Sequence, residues 1–331
     1  MAGVLGWAVP ATAVALTTLV ALWVAGALYY DLCGGGWRGR AAAAAWAVGV
    51  AAALLLWEPV WYPVAAVAAA EALVVVWWLR LRPSHDREWE PAAAVLPRVT
   101  RDGDAVTVHD LRDFDYPAPG VVDVRYDTRT YRLAHLAALD IIFFNWGSQW
   151  MSHPVLVFEF GPDGRLCVSV EVRYRKGQKY SLLPSLYRQQ ELVYIAADER
   201  DIVLRRTLHP PRQAAHLYRM VAPPEEVREV FLDYAAAMND LAAAPRWYNG
   251  LCMNCTTSFY RLPSRRWRRD WRVFANARLD RALYAAGRLD RSLPFEDLRR
   301  TADLTDAANA APRDGFGDHV RREQERRRRD R

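Results

Sequence analysis

The sequence predicts an α+β protein in which N-terminal transmembrane helices precede a soluble domain with a central antiparallel sheet. Apolar runs fill residues 1–82, and strand-like alternation of apolar and polar residues begins near residue 97. A cysteine then lies at the start of a short helical run, at position 255. Runs of about 20 apolar residues suffice to cross a bilayer, and alternation with period two is typical of half-buried strands. The chain therefore divides into a membrane region and a soluble domain.

The membrane region contains three separable apolar runs, Gly6 to Tyr30, Ala41 to Trp57 and Val60 to Leu79. Only Glu58 and Pro59 separate the second run from the third, so these runs form a tight helical hairpin or one of them is re-entrant. The first run lacks a basic n-region and is too long for a cleavable signal peptide. We therefore expect two or three membrane spans.

Charged residues in this region bear on packing and orientation. Glu71 lies inside the third run, where a carboxylate is costly in lipid, so we expect it to face another helix or to lie near the surface. Basic residues follow the first and third runs, at Arg38, Arg40, Arg80 and Arg82. The positive-inside rule then places the soluble domain in the cytoplasm.

The soluble part begins after a polar, proline-containing linker at residues 83–96, and we expect its domain to cover residues 97–303. Residues 304–331 are polar and rich in arginine, which predicts a disordered tail. Alternation predicts strands at 106–109, 126–131, 141–147, 153–160, 165–173, 192–197 and 215–220. Helical patterns are found at 185–191, 227–242, 271–283 and 295–300.

One hairpin allows its register to be predicted. Gly161-Pro-Asp-Gly164 suits a type I turn with Gly164 as a bulge, which pairs residue 161 with 165 and residue 155 with 171. His153 and Glu171 then lie diagonally on one face, where the carboxylate could orient the imidazole. A two-residue loop would instead put them on opposite faces. The other face is uniformly apolar in the predicted register and carries Leu156, Phe158, Phe160, Val168, Val170 and Val172.

Cys255 is the candidate nucleophile. Asn254 is a plausible N-cap, and a helix N-terminus lowers a thiol pKa through its unpaired N–H groups and partial positive charge. The same amides could form an oxyanion hole. The competing interpretation is that Cys255 is an inert cysteine of the hydrophobic core, which is the commoner fate of a free cysteine among apolar residues.

Composition excludes several other classes of site. The four cysteines are too few for a disulfide scaffold, and Cys252 with Cys255 makes a single C-x-x-C without a second ligand pair, so we expect neither zinc nor another cofactor. The net charge of +6 comes largely from arginine, but no base-reading module accompanies it and nucleic acid is not an expected partner. Asp198 to Asp201 with Arg205 and Arg206 form a salt-bridge cluster or, less in keeping with their spacing, an anionic substrate site.

Four stretches of the soluble part form a recognisable set. They are Phe144–Ser148 leading to Ser152 and His153; Val168–Arg173; Glu191–Tyr194 continuing through Asp198–Asp201; and Tyr248–Asn249 with Asn254–Thr257. Together they resemble the bacterial family called the Lnb N-terminal periplasmic domain. The resemblance extends over about residues 84–300 and includes the Ser84-His-Asp-Arg-Glu-Trp89 linker.

This family is similar to circularly permuted, NlpC-type papain-like thiol enzymes, in which a histidine and its polar partner precede the cysteine. The resemblance implies that Cys255 is the nucleophile, His153 its base and Glu171 the residue that orients the imidazole. It further implies oxyanion or positioning roles for Asn254 and Thr256, and substrate contacts for Tyr248, Asn249 and Arg173. Cys252 departs from the family pattern and raises a local redox lock as a hypothesis.

Members of the family are described as lipoprotein N-acyltransferases. The resemblance thus implies a membrane-anchored enzyme that takes an acyl chain from phospholipid onto its cysteine and passes it to a lipoprotein N-terminus. The catalytic domain of a multi-pass inner-membrane protein would then lie in the periplasm, against the positive-inside count. A thiol amidase or peptidase acting on cell-wall peptide, and a non-catalytic membrane scaffold, are the alternatives.

Overall fold

A computed structural model describes residues 2–118, 121–145, 152–179, 181–209, 211–255, 257 and 278–330, with side chains from residue 9 onward. The chain divides into two compact units. One comprises Met1–His85 with Lys179–Glu191, and the other comprises Asp86–Gln178 with Leu192–Arg331. A segment from the middle of the sequence therefore belongs to the N-terminal unit.

The first unit contains three long helices. They are α1 (Ala2–Ala27), which continues as a π-helical turn over Leu28–Leu32, α2 (Gly36–Leu56) and α3 (Trp61–Arg80). By length and composition, Val9–Leu32, Gly36–Leu56 and Trp61–Arg80 could each cross a membrane, which agrees with the higher of the two predicted span counts. Helix α2 ends only four residues before α3 begins, so the predicted tight hairpin is confirmed.

The three helices pack around a small apolar cluster to which each contributes one residue, Ala21, Val50 and Val67. The Trp46 indole donates to the carbonyl of Ala21 at 3.0 Å. Glu71, one turn after Val67 on α3, is buried. A position four residues on lies on the same helix face, which confirms that Glu71 points toward its neighbours.

The inserted segment Lys179–Glu191 differs from its prediction. We expected a helix over 185–191, whereas only Pro184–Leu186 forms a 3-10 turn and Tyr187 is already extended. The turn ends because the next residues bond elsewhere: Arg188 N donates to Asp31 at 3.3 Å and Gln189 Nε2 donates to Asp31 at 2.6 Å. Tertiary hydrogen bonds have overridden a weak helical pattern.

The second unit is built on a sheet that has eight strands among the described residues. They are β1 (Arg98–Asp102), β2 (Ala105–Arg112), β5 (Tyr126–Arg132), β6 (Ala138–Asn145), β7 (Ser152–Glu159), β8 (Arg165–Arg173), β9 (Glu191–Ala197) and β10 (Ala214–Arg219), while β3 (Asp115–Ala118) and β4 (Val121–Asp123) form a separate pair. Their order is β1-β2-β9-β8-β7-β6-β10, with β5 also paired to β2. Strand β2 runs parallel to β9 and antiparallel to β1 and β5, and β6 and β7 are antiparallel to each other, as are β7 and β8 and β6 and β10. The predicted strands are confirmed, except that residues 146–147 of the strand predicted over 141–147 lie outside the described residues.

Helices cover both faces of this sheet. The predicted helices at 227–242 and 295–300 are confirmed, whereas residues 271–277 of a third prediction lie outside the described residues. Helix α5 was not predicted; its N-cap is Asp198, whose side chain accepts from Arg200 N at 2.9 Å. The helices are α4 (Pro91–Ala94), α5 (Glu199–Thr207), α6 (Pro224–Ala243), α7 (Leu279–Ala285), α8 (Phe295–Ala302), α9 (Thr305–Ala310) and α10 (Phe316–Arg329).

Alternate residues of the strands enter two different cores. We call the two sides of the sheet the α6 face and the α5 face, after the helices that cover them. The α6 face buries Leu156, Phe158, Phe160, Val168, Val170 and Val172 against Val230, Phe231 and Tyr234. The α5 face buries Val155, Val157, Cys167, Val193 and Ile195 against Ile202 and Val203. The predicted division of β7 and β8 into two faces is thus confirmed.

The register of that hairpin was predicted incorrectly. Glu159 pairs with Arg165 and Val155 pairs with Ser169, two residues away from the expected pairing. The loop is longer than a three-residue turn, because a 3-10 turn at Gly161–Asp163 is closed by the bond from Phe160 N to Gly164 O at 2.9 Å. A shift of two preserves the period of the side chains, so the predicted faces survived the error.

Residues 86–96 are not a free linker. They pack along the end of β8, where Glu90 N donates to Tyr174 O at 2.9 Å and Lys176 N donates to Glu88 O at 2.8 Å. The Arg173 guanidinium lies over the Trp89 ring at 4.2 Å. The polar composition of this stretch did not indicate that its backbone bonds to the residues that follow β8.

The predicted disorder of residues 304–331 is also wrong. This stretch forms α9 and α10, and Phe316 and Val320 are buried in the α5-face core. Arg321 pairs with Asp140 at 2.7 Å and with Glu199 at 2.9 Å. Composition suggested a solvated tail, but two apolar anchors and buried acidic partners on other elements order the helix.

Candidate functional site

His153 and Glu171 meet on the α5 face, on neighbouring strands. The register that pairs Val155 with Ser169 continues to bring residue 153 opposite residue 171. The Ser169 hydroxyl lies between them, 2.7 Å from His153 Nε2 and 2.8 Å from Glu171 Oε1, while His153 Nε2 and Glu171 Oε1 are 3.8 Å apart. Ser169 therefore bridges a histidine and a carboxylate that do not bond directly.

This bridge determines the histidine tautomer. The Ser169 hydroxyl carries one proton, which it donates to Glu171, so its oxygen accepts from an Nε2–H of His153. A neutral imidazole with a proton on Nε2 has its lone pair on Nδ1. Among the residues that the structure describes, Nδ1 of His153 makes no hydrogen bond. His153 thus presents the basic nitrogen away from the Ser169 bridge.

Arg206 completes the cluster from helix α5. Its guanidinium donates to Glu171 Oε1 and to Ile202 O, and lies over the Phe144 ring at 4.8 Å. Burial by itself would raise the pKa of Glu171, but the charge of Arg206, assisted by His153, holds that pKa well below its ordinary value. Glu171 is therefore ionised and paired at neutral pH.

His153 is neutral at the same pH. Burial and the positive charge of Arg206 lower the pKa of His153 to about 3, and the opposing effect of Glu171 is smaller. A base with so low a pKa accepts a proton weakly, because the best general bases titrate near the working pH. The cluster therefore holds His153 as an uncharged imidazole bonded to Ser169.

A second buried pair lies beside this cluster. Asp201 is fully buried and accepts from Arg112 at 2.8 and 3.1 Å, from Phe114 N at 3.0 Å and from the Tyr116 hydroxyl at 2.7 Å. Asp198, at the other end of the same stretch, pairs with Arg129 at 2.6 Å. The structural interpretation of this acidic stretch is thus confirmed, and Arg206 also serves an ion pair within the protein.

Cys255 lies between two residues that bond to each other. Asn254 Oδ1 accepts from Thr257 N at 2.8 Å, and Asn254 N donates to Thr257 Oγ1 at 2.9 Å. Such reciprocal bonds are the pattern of an N-cap residue and the third helical residue, as the sequence predicts. Thr256 and the residues from 258 to 277, where the predicted helix would continue, lie outside the described residues.

Asparagine side chains also hold the loop before the cysteine. Asn249 and Met253 exchange backbone hydrogen bonds at 3.1 and 2.9 Å, and Asn249 Oδ1 accepts from the N–H groups of Leu251 and Cys252. Asn254 Nδ2 donates to Gly250 O at 2.7 Å. Both polar ends of the Asn254 side chain thus hold local backbone.

Cys255 and His153 lie on different faces of the sheet. Cys255 is 8% exposed and belongs to the core of the α6 face, near Tyr234. Tyr248 is buried in the same core. His153 lies on the α5 face because odd-numbered residues of β7 point there. His153 and Glu171 share a face as predicted, but they lie directly opposite each other rather than diagonally. Cys255 packs in the core on the other side of the sheet.

Arg173 has a role other than the expected substrate contact. It is 3% exposed and donates to the carbonyls of Ala93 and Ala94 at 2.9 and 2.7 Å. It thus fastens helix α4 to the end of β8. The roles of Ser169 and Arg206 in the histidine cluster, by contrast, were missed. The spacing of Ser169 and Glu171, two residues apart on one strand, was the available signal for Ser169.

Comparison with known families identifies residues 123–277 as a match to the family described as the Lnb N-terminal periplasmic domain. The matched range includes His153, Glu171 and Cys255, and it confirms the resemblance given by the four sequence stretches. No curated protein and no solved structure matches the chain.

Proposed function

We propose, from the match of residues 123–277 to the Lnb N-terminal periplasmic domain, that this chain is a membrane-anchored thiol acyltransferase whose nucleophile is Cys255. Its donor would be a phospholipid and its acceptor the amino group of a lipoprotein N-terminus. Three apolar helices of spanning length are consistent with a lipid donor.

The reaction has two half-reactions. In the first, the Cys255 thiolate attacks the carbonyl carbon of an acyl ester; the C–S bond forms, the ester C–O bond breaks, and the departing alkoxide takes a proton from water. In the second, the acceptor nitrogen bonds to the same carbon, the C–S bond breaks, and the proton released by the nitrogen goes to solvent. The thiolate is regenerated, so acyl groups, protons and electrons balance.

The observation that carries this proposal is the pair of reciprocal hydrogen bonds between Asn254 and Thr257, which is the pattern of a helix N-cap, with Cys255 directly after Asn254. The first turn of a helix concentrates unpaired N–H groups and a partial positive charge, which stabilise a thiolate. In this mechanism the helix terminus activates the sulfur. The cluster of His153, Ser169, Glu171 and Arg206 acts as a support that fixes β7, β8 and α5 relative to one another.

The proposed location is the bacterial inner membrane, with several spans and the catalytic domain in the periplasm. The family description supports the periplasmic side. Arg38, Arg40, Arg80 and Arg82 favour the cytoplasmic side under the positive-inside rule. We give the family more weight, because transfer from phospholipid to a lipoprotein takes place at the outer leaflet.

A second candidate is a membrane protein without catalysis. It is favoured by the burial of Cys255 and by the separation of this residue from His153 across the sheet. A thiol amidase or peptidase acting on cell-wall peptide differs from the acyltransferase only in its acyl donor and in using water as acceptor.

Intact-mass spectrometry of the full-length protein with phospholipid vesicles tests the proposal. We expect a fatty-acyl adduct in the wild type that hydroxylamine removes and that Cys255→Ala abolishes. Cys252→Ala is the matched control, since Cys252 is exposed in the same loop, and it should keep the adduct. A protein without an adduct whose Cys255 still reacts with a thiol probe would be assigned to the hydrolases. An unreactive Cys255 would favour the scaffold.

A further inference from the structure

The inserted segment, Lys179–Glu191, is fastened to the ends of two apolar helices in its own unit. Asp31, at the end of the α1 helical run, accepts from the Trp78 indole at 2.7 Å and from Gln189 Nε2 at 2.6 Å. The Arg188 guanidinium lies over the Trp78 ring at 4.2 Å and donates to Leu79 O at 3.2 Å. The segment is thereby held against α1 and α3 at their C-terminal ends.

Tyr187 shows how far the segment reaches along α1. Its hydroxyl donates to Trp23 O at 3.4 Å, and its ring packs on Trp23 and Tyr30 with centroid distances of 6.3 and 5.1 Å. A Cβ built on Gly26 would lie 1.8 Å from the Tyr187 hydroxyl. Tyr187 therefore occupies a groove that exists because residue 26 has no side chain.

The groove lies within the span. Val9–Leu32 has 24 residues, about 36 Å of helix at about 1.5 Å per residue, against a hydrocarbon thickness of about 30 Å. Trp23 is about 13 Å from the C-terminal end of this helix at the same rise. Even if the whole excess of about 6 Å projects at that end, the Trp23 carbonyl lies about 7 Å inside the hydrocarbon.

The backbone of the segment is suited to that depth. Ser185 N, Leu186 N and Tyr187 N donate to the carbonyls three residues earlier, each at 3.1 Å. Pro184 has no N–H, and the Ser185 hydroxyl donates to Leu182 O at 2.6 Å. Positions 184–187 therefore leave no amide proton unsatisfied, which removes one cost of placing backbone at membrane depth beside α1.

Two adjacent leucines of this segment have large exposed surfaces. Leu182 and Leu183 are 55% and 60% exposed, immediately before the 3-10 turn. Exposed apolar side chains on a backbone that is fixed beside a membrane-spanning helix have acyl chains as their natural neighbours. Tyr30 and Trp78 lie within two residues of the ends of their helical runs, where amphipathic rings favour the membrane–water interface.

We propose that residues 182–187 form a membrane hook that inserts Leu182 and Leu183 into the leaflet at the C-terminal ends of α1 and α3, with phospholipid acyl chains as the partner. The segment joins β8, which carries Glu171, to β9. The hook would therefore attach the catalytic unit to the bilayer at a second place, beyond the connection after α3. The inference requires the helices to cross a bilayer, but it does not require the acyl transfer reaction.

Site-specific photo-crosslinking tests the hook in the full-length protein. A diazirine side chain is introduced at position 183 of the protein reconstituted in vesicles of phosphatidylethanolamine and phosphatidylglycerol, and adducts are identified by intact mass after illumination. The positive control is position 19, an exposed leucine within the first span. The negative control is position 124, an exposed valine of the second unit.

We expect a mass increase of one phospholipid at position 183, about tenfold more abundant than at position 124, the ratio that about 1.4 kcal/mol of lipid preference gives. Lipid adducts at position 19 without adducts at 183, repeated with the diazirine at 182, would overturn the hook. Crosslinks from 183 to a second copy of the chain would also overturn it. Absence of lipid adducts at position 19 would refute the membrane span, and the hook with it.

Discussion

Cys255 and His153 lie on opposite faces of one sheet: Cys255 is buried in the core of the α6 face, whereas His153 is bonded to Ser169 on the α5 face. A papain-like enzyme requires its cysteine and histidine in contact. We therefore expect mutations at Cys255 and at His153 to affect activity and stability differently.

The two positions can be separated by activity and stability together. Cys255→Ala should abolish acyl-adduct formation with a change in unfolding free energy of about 1 kcal/mol, since a small buried group is lost. His153→Gln should retain adduct formation under conditions in which the variant is folded, while its unfolding free energy falls. Adduct rates by mass spectrometry and denaturant unfolding measure the two effects. A loss of about 100-fold or more in the His153→Gln rate, at unchanged stability, would show that His153 serves the thiol.

Stability should depend on pH through His153. Its pKa is about 3 in the folded protein and 6.5 without the fold, so the unfolded chain binds more protons between these values. Stability attributable to His153 is therefore complete above pH 6.5 and is lost as the pH falls toward 3, at up to about 1.4 kcal/mol per pH unit. Urea unfolding from pH 7 to pH 4 should show a shallower slope for His153→Gln than for the wild type. The exposed-site variant Val124→Ala should keep the wild-type slope, and equal slopes in all three proteins would contradict the assignment.

Removing the bridging hydroxyl should destabilise the domain. Ser169 is 1% exposed, so Ser169→Ala leaves the His153 N–H and a Glu171 oxygen without this partner, at a cost of about 1–3 kcal/mol. Ser292→Ala is the matched control, because Ser292 also donates to a carboxylate, Asp290, but is exposed. Its effect should stay within about 0.5 kcal/mol. Thermal unfolding of both variants measures the two effects. Equal midpoints would show that the Ser169 bridge does not stabilise the domain.

Replacing Gly26 should destabilise the protein, although a glycine inside a helix is usually replaced by alanine without loss. Gly26→Ala places a Cβ where the Tyr187 hydroxyl lies, and overpacking of this kind costs about 1–3 kcal/mol. Gly49→Ala on α2 introduces the same group where nothing lies within 4 Å, and should be neutral or stabilising because alanine is the better helix former. The thermal midpoints of the full-length variants in detergent micelles are compared. A Gly26→Ala protein as stable as Gly49→Ala would show that Tyr187 is not packed in this groove.

Local sequence patterns predicted the strands of the second unit but not where its ordered part ends. Alternation predicted the strands and divided β7 and β8 correctly, because a two-residue register error leaves side chains on the same faces. Composition failed for residues 304–331, where Phe316, Val320 and Arg321 find buried partners on distant elements. Such partners leave no trace in the polarity of a segment.

The sequence by itself determined the three apolar helices, the shared face of His153 and Glu171, and the bonding of Asn254 to Thr257 around Cys255. Each depends on neighbours within about one turn or one hairpin, so periodicity suffices to predict it. Only the tertiary structure decided which face of the sheet receives Cys255, and that Lys179–Glu191 packs beside α1. These outcomes depend on contacts between residues far apart in the chain, such as Tyr187 with Trp23, whose free energy is gained only when the whole fold brings them together.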